Sequence, residues 1–197
     1  MKLHKILLLI VNIVLVIIFV RFFLADIYAK NIDFLVNELE FEKAVASANK
    51  AVELNPREPY YYRQRAKVFL LKAAQQDQDK KVYKNHALLN LREAYMLNPD
   101  NLATIRNSIP YYYFLAKDNF GIQKAPKAES ALDQDYIEET LYFYEMIKVR
   151  FSTDAGAIVT VAKYEKQLGL TEEYNKSVGI IKNLRPELLK WYPGFAY

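Results

Sequence analysis

Histidine occurs twice, as His4 and His86, and cysteine not at all, so the common carriers of metal, nucleophilic and general acid-base chemistry are nearly missing. Without cysteine there is no disulfide, no thiolate metal site, no thiol nucleophile and no lipid-modified cysteine anchor. The chain has no His-Glu-x-x-His pair, no glycine-rich phosphate loop and no Gly-x-Ser-x-Gly elbow. Acid pairs occur at Glu138-Glu139 and Glu172-Glu173. Both fall where helices are expected to begin, where carboxylates favour the helix dipole, so they read as capping rather than acid-base machinery. His86 reads as an ordinary histidine beside a packing face. The expectation is a protein that catalyses nothing and needs no cofactor or metal. What remains for recognition is aromatic and basic: sixteen tyrosines, among them the runs Tyr60-Tyr61-Tyr62 and Tyr111-Tyr112-Tyr113, with arginines and lysines between them.

Those residues need elements to hold them, and the first element is a membrane span. From Ile6 to Leu24 nearly every residue is Leu, Ile, Val or Phe, interrupted by Asn12 and Arg21. About twenty helical residues match a hydrocarbon core of roughly 30 Å, and Arg21 can carry its guanidinium to the nearer interface. A cleaved signal peptide would need a shorter apolar run and a small-x-small cleavage site. Phe23-Leu24-Ala25 and Ile27-Tyr28-Ala29 both put a bulky residue where a small one is wanted. The segment therefore reads as an uncleaved signal anchor, with residues 1–24 as tail and span and residues 25–197 as one soluble domain. Lys2 and Lys5 precede the span without an acid, whereas Arg21 and Lys30 mix with Asp26 and Asp33 beyond it. That asymmetry predicts a cytoplasmic N-terminus and an extracytoplasmic domain in a single-pass cell-membrane protein. The first thirty residues also hold most of the net charge of +4. The remainder is close to neutral, which argues against a nucleic-acid partner.

The soluble part repeats a phrase. Ala-Val-Glu-Leu-Asn-Pro ends at Pro56 and Ala-Tyr-Met-Leu-Asn-Pro at Pro99. Twelve, eight and five residues before Pro56 stand Ala44, Ala48 and Ala51, and the same offsets from Pro99 give Ala87, Leu91 and Ala94. Those offsets share one helical face. From Pro186 they give Tyr174, Val178 and Ile181, with Gly169 at the preceding turn, and the stretch that ends in Phe151-Ser152-Thr153-Asp154 carries Glu139, Phe143 and Ile147 within a residue of the same spacing. The pattern predicts an all-α domain of helical hairpins.

These residues resemble the tetratricopeptide repeat, a 34-residue helix-turn-helix unit whose second helix carries small residues and ends near a proline. Ser152 to Pro186 spans 34 residues, while Pro56 to Pro99 spans 43 and Pro99 to Ser152 spans 53. The excess reads as longer loops within hairpins, at Gln75 to Lys81 and at Lys117 to Gln134, since such insertions leave the stack intact. Tyr62, Ala66 and Phe69 fit the family's first-helix pattern, whereas Pro110 should kink or shorten the next first helix. Trp191 and Tyr192 are expected to cap the last pair. The resemblance implies that first helices line a concave surface. Tyr60, Arg63, Lys67, Arg106, Tyr113, Lys163 and Lys166 would then form a mildly basic, aromatic groove, with its charges exposed, suited to an extended acidic segment of a protein partner. The alternative is that the tyrosine runs mainly pack between helices. The basic and asparagine set by which the chaperone-tail members clamp a terminal carboxylate is incomplete, with Gln64 where an asparagine would help.

A narrower resemblance involves the span running into Ala25-Asp26-Ile27-Tyr28-Ala29-Lys30 and the later Leu-Asn-Pro-Arg-Glu-Pro-Tyr-Tyr. It is similar to the C-terminal end of some bacterial O-antigen ligase or polymerase-like membrane proteins, and implies an accessory role in cell-envelope polysaccharide assembly. Tyr60, Tyr113 and Trp191 would then stack on sugar faces. Three functional readings follow: a membrane-tethered scaffold for a protein partner, a carbohydrate-binding accessory component, and a translocon-associated or periplasmic holdase.

Overall fold

The apolar run does not stop at a linker: a single helix, α1 (Lys2–Asn37), carries it directly into the following domain. The computed structural model describes residues 2–75, 78–118 and 131–191, and side chains from His4 to Lys190 within those ranges. Among them the fold is all-α. After α1 come α2 (Phe41–Leu54), α3 (Pro59–Gln75), α4 (Lys80–Leu97), α5 (Leu102–Leu115), α6 (Gln134–Arg150), α7 (Ala155–Gln167), α8 (Thr171–Leu184) and the short α9 (Leu188–Trp191). α1 is long and apolar enough to cross a membrane, and its apolar stretch is exposed along its whole length. Burial begins at Ala25 and returns at Ala29, Ile32 and Leu35, the spacing of one helical face. Leu24, where the span ends in the sequence reading, thus lies within a continuous helix.

Side-chain chemistry sets the turns. Asn101, Asp133 and Asp154 stand ahead of α5, α6 and α7, and each accepts a hydrogen bond from a backbone N–H of the first turn. Asn55 and Asn98 end α2 and α4, and the prolines after them cannot extend a helix. Gly169 turns α7 into α8 at a φ of 75°, a conformation that costs glycine little. Arg21 departs from the expected free excursion to the interface. Its Nη2 donates to the carbonyl of Leu54 at 3.2 Å and to that of Glu53 at 3.5 Å, capping the carbonyl end of α2 with a cation. Pro110 does not end α5, which continues to Leu115 and is 14 residues long against 17 for α3. The long α5–α6 connection is tied at its neck, where Asp118 N donates to Ala131 O at 2.9 Å and Asp133 N to Ala116 O at 2.8 Å. Of the expected cap, Leu188 and Leu189 pack on the core; the Trp191 side chain and Tyr192 lie outside the described residues.

Successive helices pair as hairpins, α1 with α2, α3 with α4, α5 with α6 and α7 with α8. The odd-numbered helices also touch in succession, α1 with α3, α3 with α5 and α5 with α7. Their direction is common. Tyr61 Oη donates to Asp26 Oδ1 at 2.7 Å and Lys67 Nζ to Asp33 Oδ1 at 2.6 Å, offsets of 35 and 34 residues whose near-constancy only parallel helices give. The odd helices form the close-spaced inner row, and the even helices the outer one. Between the rows lie the small residues of the repeated phrase: Ala44, Ala48, Ala51, Ala87 and Ala94 are fully buried, with Leu91 beside them. A phenyl ring at Ala51, enclosed by Ala25, Ala29, Val52 and Tyr61, has no room. Ala51→Phe should lower stability by about 1–3 kcal/mol through overpacking. Thermal unfolding of the full chain in detergent reads this, and an unchanged midpoint would remove the close approach of α2 to α1.

Candidate functional site

The inner row presents three groups of aromatic and basic side chains. The first is built on the opening turns of α3. Arg63 lays its guanidinium carbon 5.7 Å from the Tyr60 ring centroid, a cation–π distance. Burial lowers the guanidinium's pKa, opposed by the nearby Tyr111, Glu58 and Tyr60. Burial raises the Tyr60 hydroxyl, with Asp33 adding to the effect, and it raises Tyr111 on α5 as well. Arg63 Nε and Gln64 Oε1 are both buried without a hydrogen-bond partner. A donor and an acceptor on consecutive residues, each unsatisfied, are unusual in a folded protein, where buried polar atoms are nearly always paired.

The second group is aromatic. The Tyr113 ring lies 4.9 Å from Tyr164 on α7 and 5.2 Å from Phe114, with Lys117 Nζ 4.7 Å from its centroid. Lys163 Nζ stands 5.3 Å from the Tyr164 ring. The third group lies at the start of α7, where Arg106 covers Gly156. A Cβ there would lie 3.4 Å from the Arg106 guanidinium carbon, so the guanidinium packs at contact distance over the α7 backbone. Asp154 Oδ1 lies equally close to that point while accepting from Ala157 N at 2.6 Å.

Several expected site residues are arranged differently from the sequence reading. Arg63 is half-buried rather than an exposed groove charge, because Tyr60 and Tyr111 enclose it. Lys67 is occupied by its ion pair with Asp33. Lys166 is exposed, with its Nζ 5.5 Å from the Tyr174 ring of α8. Arg106 and Lys163 are exposed as expected. The tyrosine runs divide by helical phase: Tyr61 and Tyr112 are buried, the latter stacked on Phe143 at 3.9 Å, while their neighbours on either side stay half-exposed. Stacking on sugars is poorly served. Tyr113 already has Tyr164 and Lys117 against its ring, and Tyr60 has Arg63 and the edge of Tyr61.

Asp33 and Tyr164 join the site without a signal in the sequence for this role, whereas Tyr111 stands in a tyrosine run and Gln64 at the position where an asparagine would help. Glu172 and Glu173 lie in the first turn of α8 as expected, while Glu138 and Glu139 lie further into their helix. Glu139 lies in the second turn of α6 and pairs with Arg92, and Glu172 pairs with Lys176 at 2.9 Å. His86 is exposed and stacks on Phe69 at 5.0 Å. Among the described residues, no three His, Asp or Glu side chains converge to hold a metal. No protein-family model matches this chain, and no curated protein sequence does.

Proposed function

We propose that this chain is a membrane-tethered scaffold of the tetratricopeptide-like class, holding an extended acidic segment of a protein partner along its inner row. The observation that carries the reading is the couple of buried, unpartnered atoms on consecutive residues of α3, Arg63 Nε and Gln64 Oε1, with Arg63 lying against Tyr60. An extended peptide supplies both missing partners, a carbonyl or carboxylate oxygen for the guanidinium and a backbone N–H for the amide oxygen, and the rings cover the aliphatic parts of the ligand. Arg106 and Lys163 extend the positive charge along the same row. The scaffold reading involves no catalytic step. A holdase would want an apolar inner face, whereas this one carries guanidinium, ammonium and hydroxyl groups.

The test is capture of the partner from solubilised membranes by wild type and by an Arg63→Met, Gln64→Leu double variant, which preserves bulk while removing the polar couple. Capture should fall by the equivalent of about 2 kcal/mol or more, as for truncated hydrogen-bonded charges at interfaces. Arg106→Glu should act mainly through the association rate and its salt sensitivity. Full capture by a folded double variant would move the binding site elsewhere. For topology, Lys2 and Lys5 favour a cytoplasmic N-terminus. Protease added to intact spheroplasts should then digest the helical stack, and protection until the membrane is broken would reverse the orientation.

A further inference from the structure

We propose that the edge of the stack formed by the α2–α3, α4–α5 and α6–α7 turns is a second membrane-contacting surface, resting on the bilayer that α1 crosses and setting Met96, Leu97 and Val149 among its headgroups. This rests on the reading of α1 as a membrane span. Four observations converge on it. First, α1 passes from the apolar run into the stack as one helix of 36 residues, so the stack is held rigidly against the end of the span. Second, Arg21 near the end of that run donates to the carbonyls of Leu54 and Glu53, which places the C-terminus of α2 level with the end of the span. Third, the odd helices run parallel to α1 and the even ones return toward the membrane. The C-termini of α4 and α6 therefore lie at the same edge as that of α2, and Arg150 fastens two of them through Asp100 at 2.5 Å and Tyr95 at 3.1 Å. Fourth, this edge exposes apolar side chains the fold does not use: Met96 is 60 % exposed, Val149 71 % and Leu97 37 %. Residues that ring a headgroup layer combine such apolar bulk with long cationic side chains, and exposed Arg57 stands in the α2–α3 turn.

The outer face of α4 supplies an internal ruler. Val82, Leu89 and Met96 are all exposed and stand seven residues apart, so they share a face while Val82 and Met96 differ in height by roughly 20 Å. A protein partner lying along α4 would cover all three, whereas a bilayer reaches only the lower end. The absence of cysteine makes single-site labelling clean. Val14→Cys, Val82→Cys, Met96→Cys and Val149→Cys of the full chain would each be labelled with an environment-sensitive fluorophore. Each would be reconstituted into phosphatidylcholine nanodiscs containing phosphatidylcholine nitroxide-labelled at its headgroup or acyl chain. The proposal expects acyl-chain quenching at position 14, headgroup quenching with a blue-shifted emission at 96 and 149, and solvent-like emission without quenching at 82. Quenching at 14 with solvent-like emission at 96 and 149 overturns the proposal and leaves the span standing. Equal shielding at 82 and 96 also overturns it, in favour of contact along the whole of α4. No quenching at 14 removes the span and this inference together.

Discussion

Replacing Lys84 by alanine should cost about 3–5 kcal/mol, the loss expected when one partner of a buried ion pair is removed. The Lys84 side chain is fully buried near the start of α4. Its ammonium donates to the carbonyls of Leu115 and Lys117, each at 2.7 Å, and to Asp133 Oδ2 at 2.6 Å. It also lies 5.0 Å from the Tyr136 ring. One cation thus satisfies the end of α5, its outgoing chain and the residue that caps α6, and so closes the neck of the long connection. Burial pulls the ammonium's pKa down, and Asp133 opposes that pull. Lys84→Met should lose nearly as much as alanine, because the missing quantity is charge and hydrogen bonding rather than volume. Adding Asp133→Asn to Lys84→Met should recover part of the loss, since the orphaned carboxylate disappears while an N-cap oxygen remains. Denaturant unfolding of the full chain in micelles measures all three. A Lys84→Met loss below about 1 kcal/mol, the worth of an exposed pair, would show that water satisfies these groups.

Lys84 also shows where sequence reasoning stops. The small residues at fixed offsets from Pro56 and Pro99 were legible because close approach of two helices demands them in both hairpins, and Ala44, Ala48, Ala51, Ala87 and Ala94 are all buried. Gly169 was legible for a similar reason, since few residues take its positive φ. Lys84 and Lys148 carry the residue type of a solvated surface, and only tertiary neighbours from other helices make them buried. The Arg63 couple was half legible. The groove residues were drawn from the first-helix positions, but enclosure of Arg63 depends on Tyr111, 48 positions later, which no local spacing announces. Lys166 was assigned to the wall by helical phase alone, and its nearness to the Tyr174 ring is a property of the α7–α8 pair. Arg21 looked like an ordinary charge near a span end, and its acceptors lie 32 and 33 residues away.

The same logic at the far end of the stack yields a pH-dependent expectation. Glu165 of α7 is fully buried, accepting from Lys148 of α6 at 3.1 Å and from Ser177 of α8 at 2.6 Å, so one carboxylate joins three helices. This junction backs the helix that carries Lys163 and Tyr164. Burial raises the pKa of Glu165, while Ser177 and Lys148 hold it down. A folded-state value above the unfolded one means that the fold binds the proton more tightly, so stability falls as pH rises from the ordinary carboxylate range through the raised value. Lys148→Ala removes one restraining partner and pushes the folded value higher still. Its loss should therefore be about 3–5 kcal/mol near neutral pH, where the lone carboxylate is most costly to bury. The deficit relative to wild type should shrink on acidification, as Glu165 becomes a neutral acid able to donate a hydrogen bond. Within the titration window the slope is limited to about 1.4 kcal/mol per pH unit for a single group. Lys148→Ala combined with Glu165→Gln should lose that extra pH dependence, which assigns it to this carboxyl rather than to Glu145, the exposed acid that also pairs with Lys148 at 2.8 Å. Denaturant unfolding of the full chain at neutral and mildly acidic pH separates these cases. A Lys148→Ala deficit equal at both would mean that the Glu165 carboxylate is stabilised in the fold without its lysine.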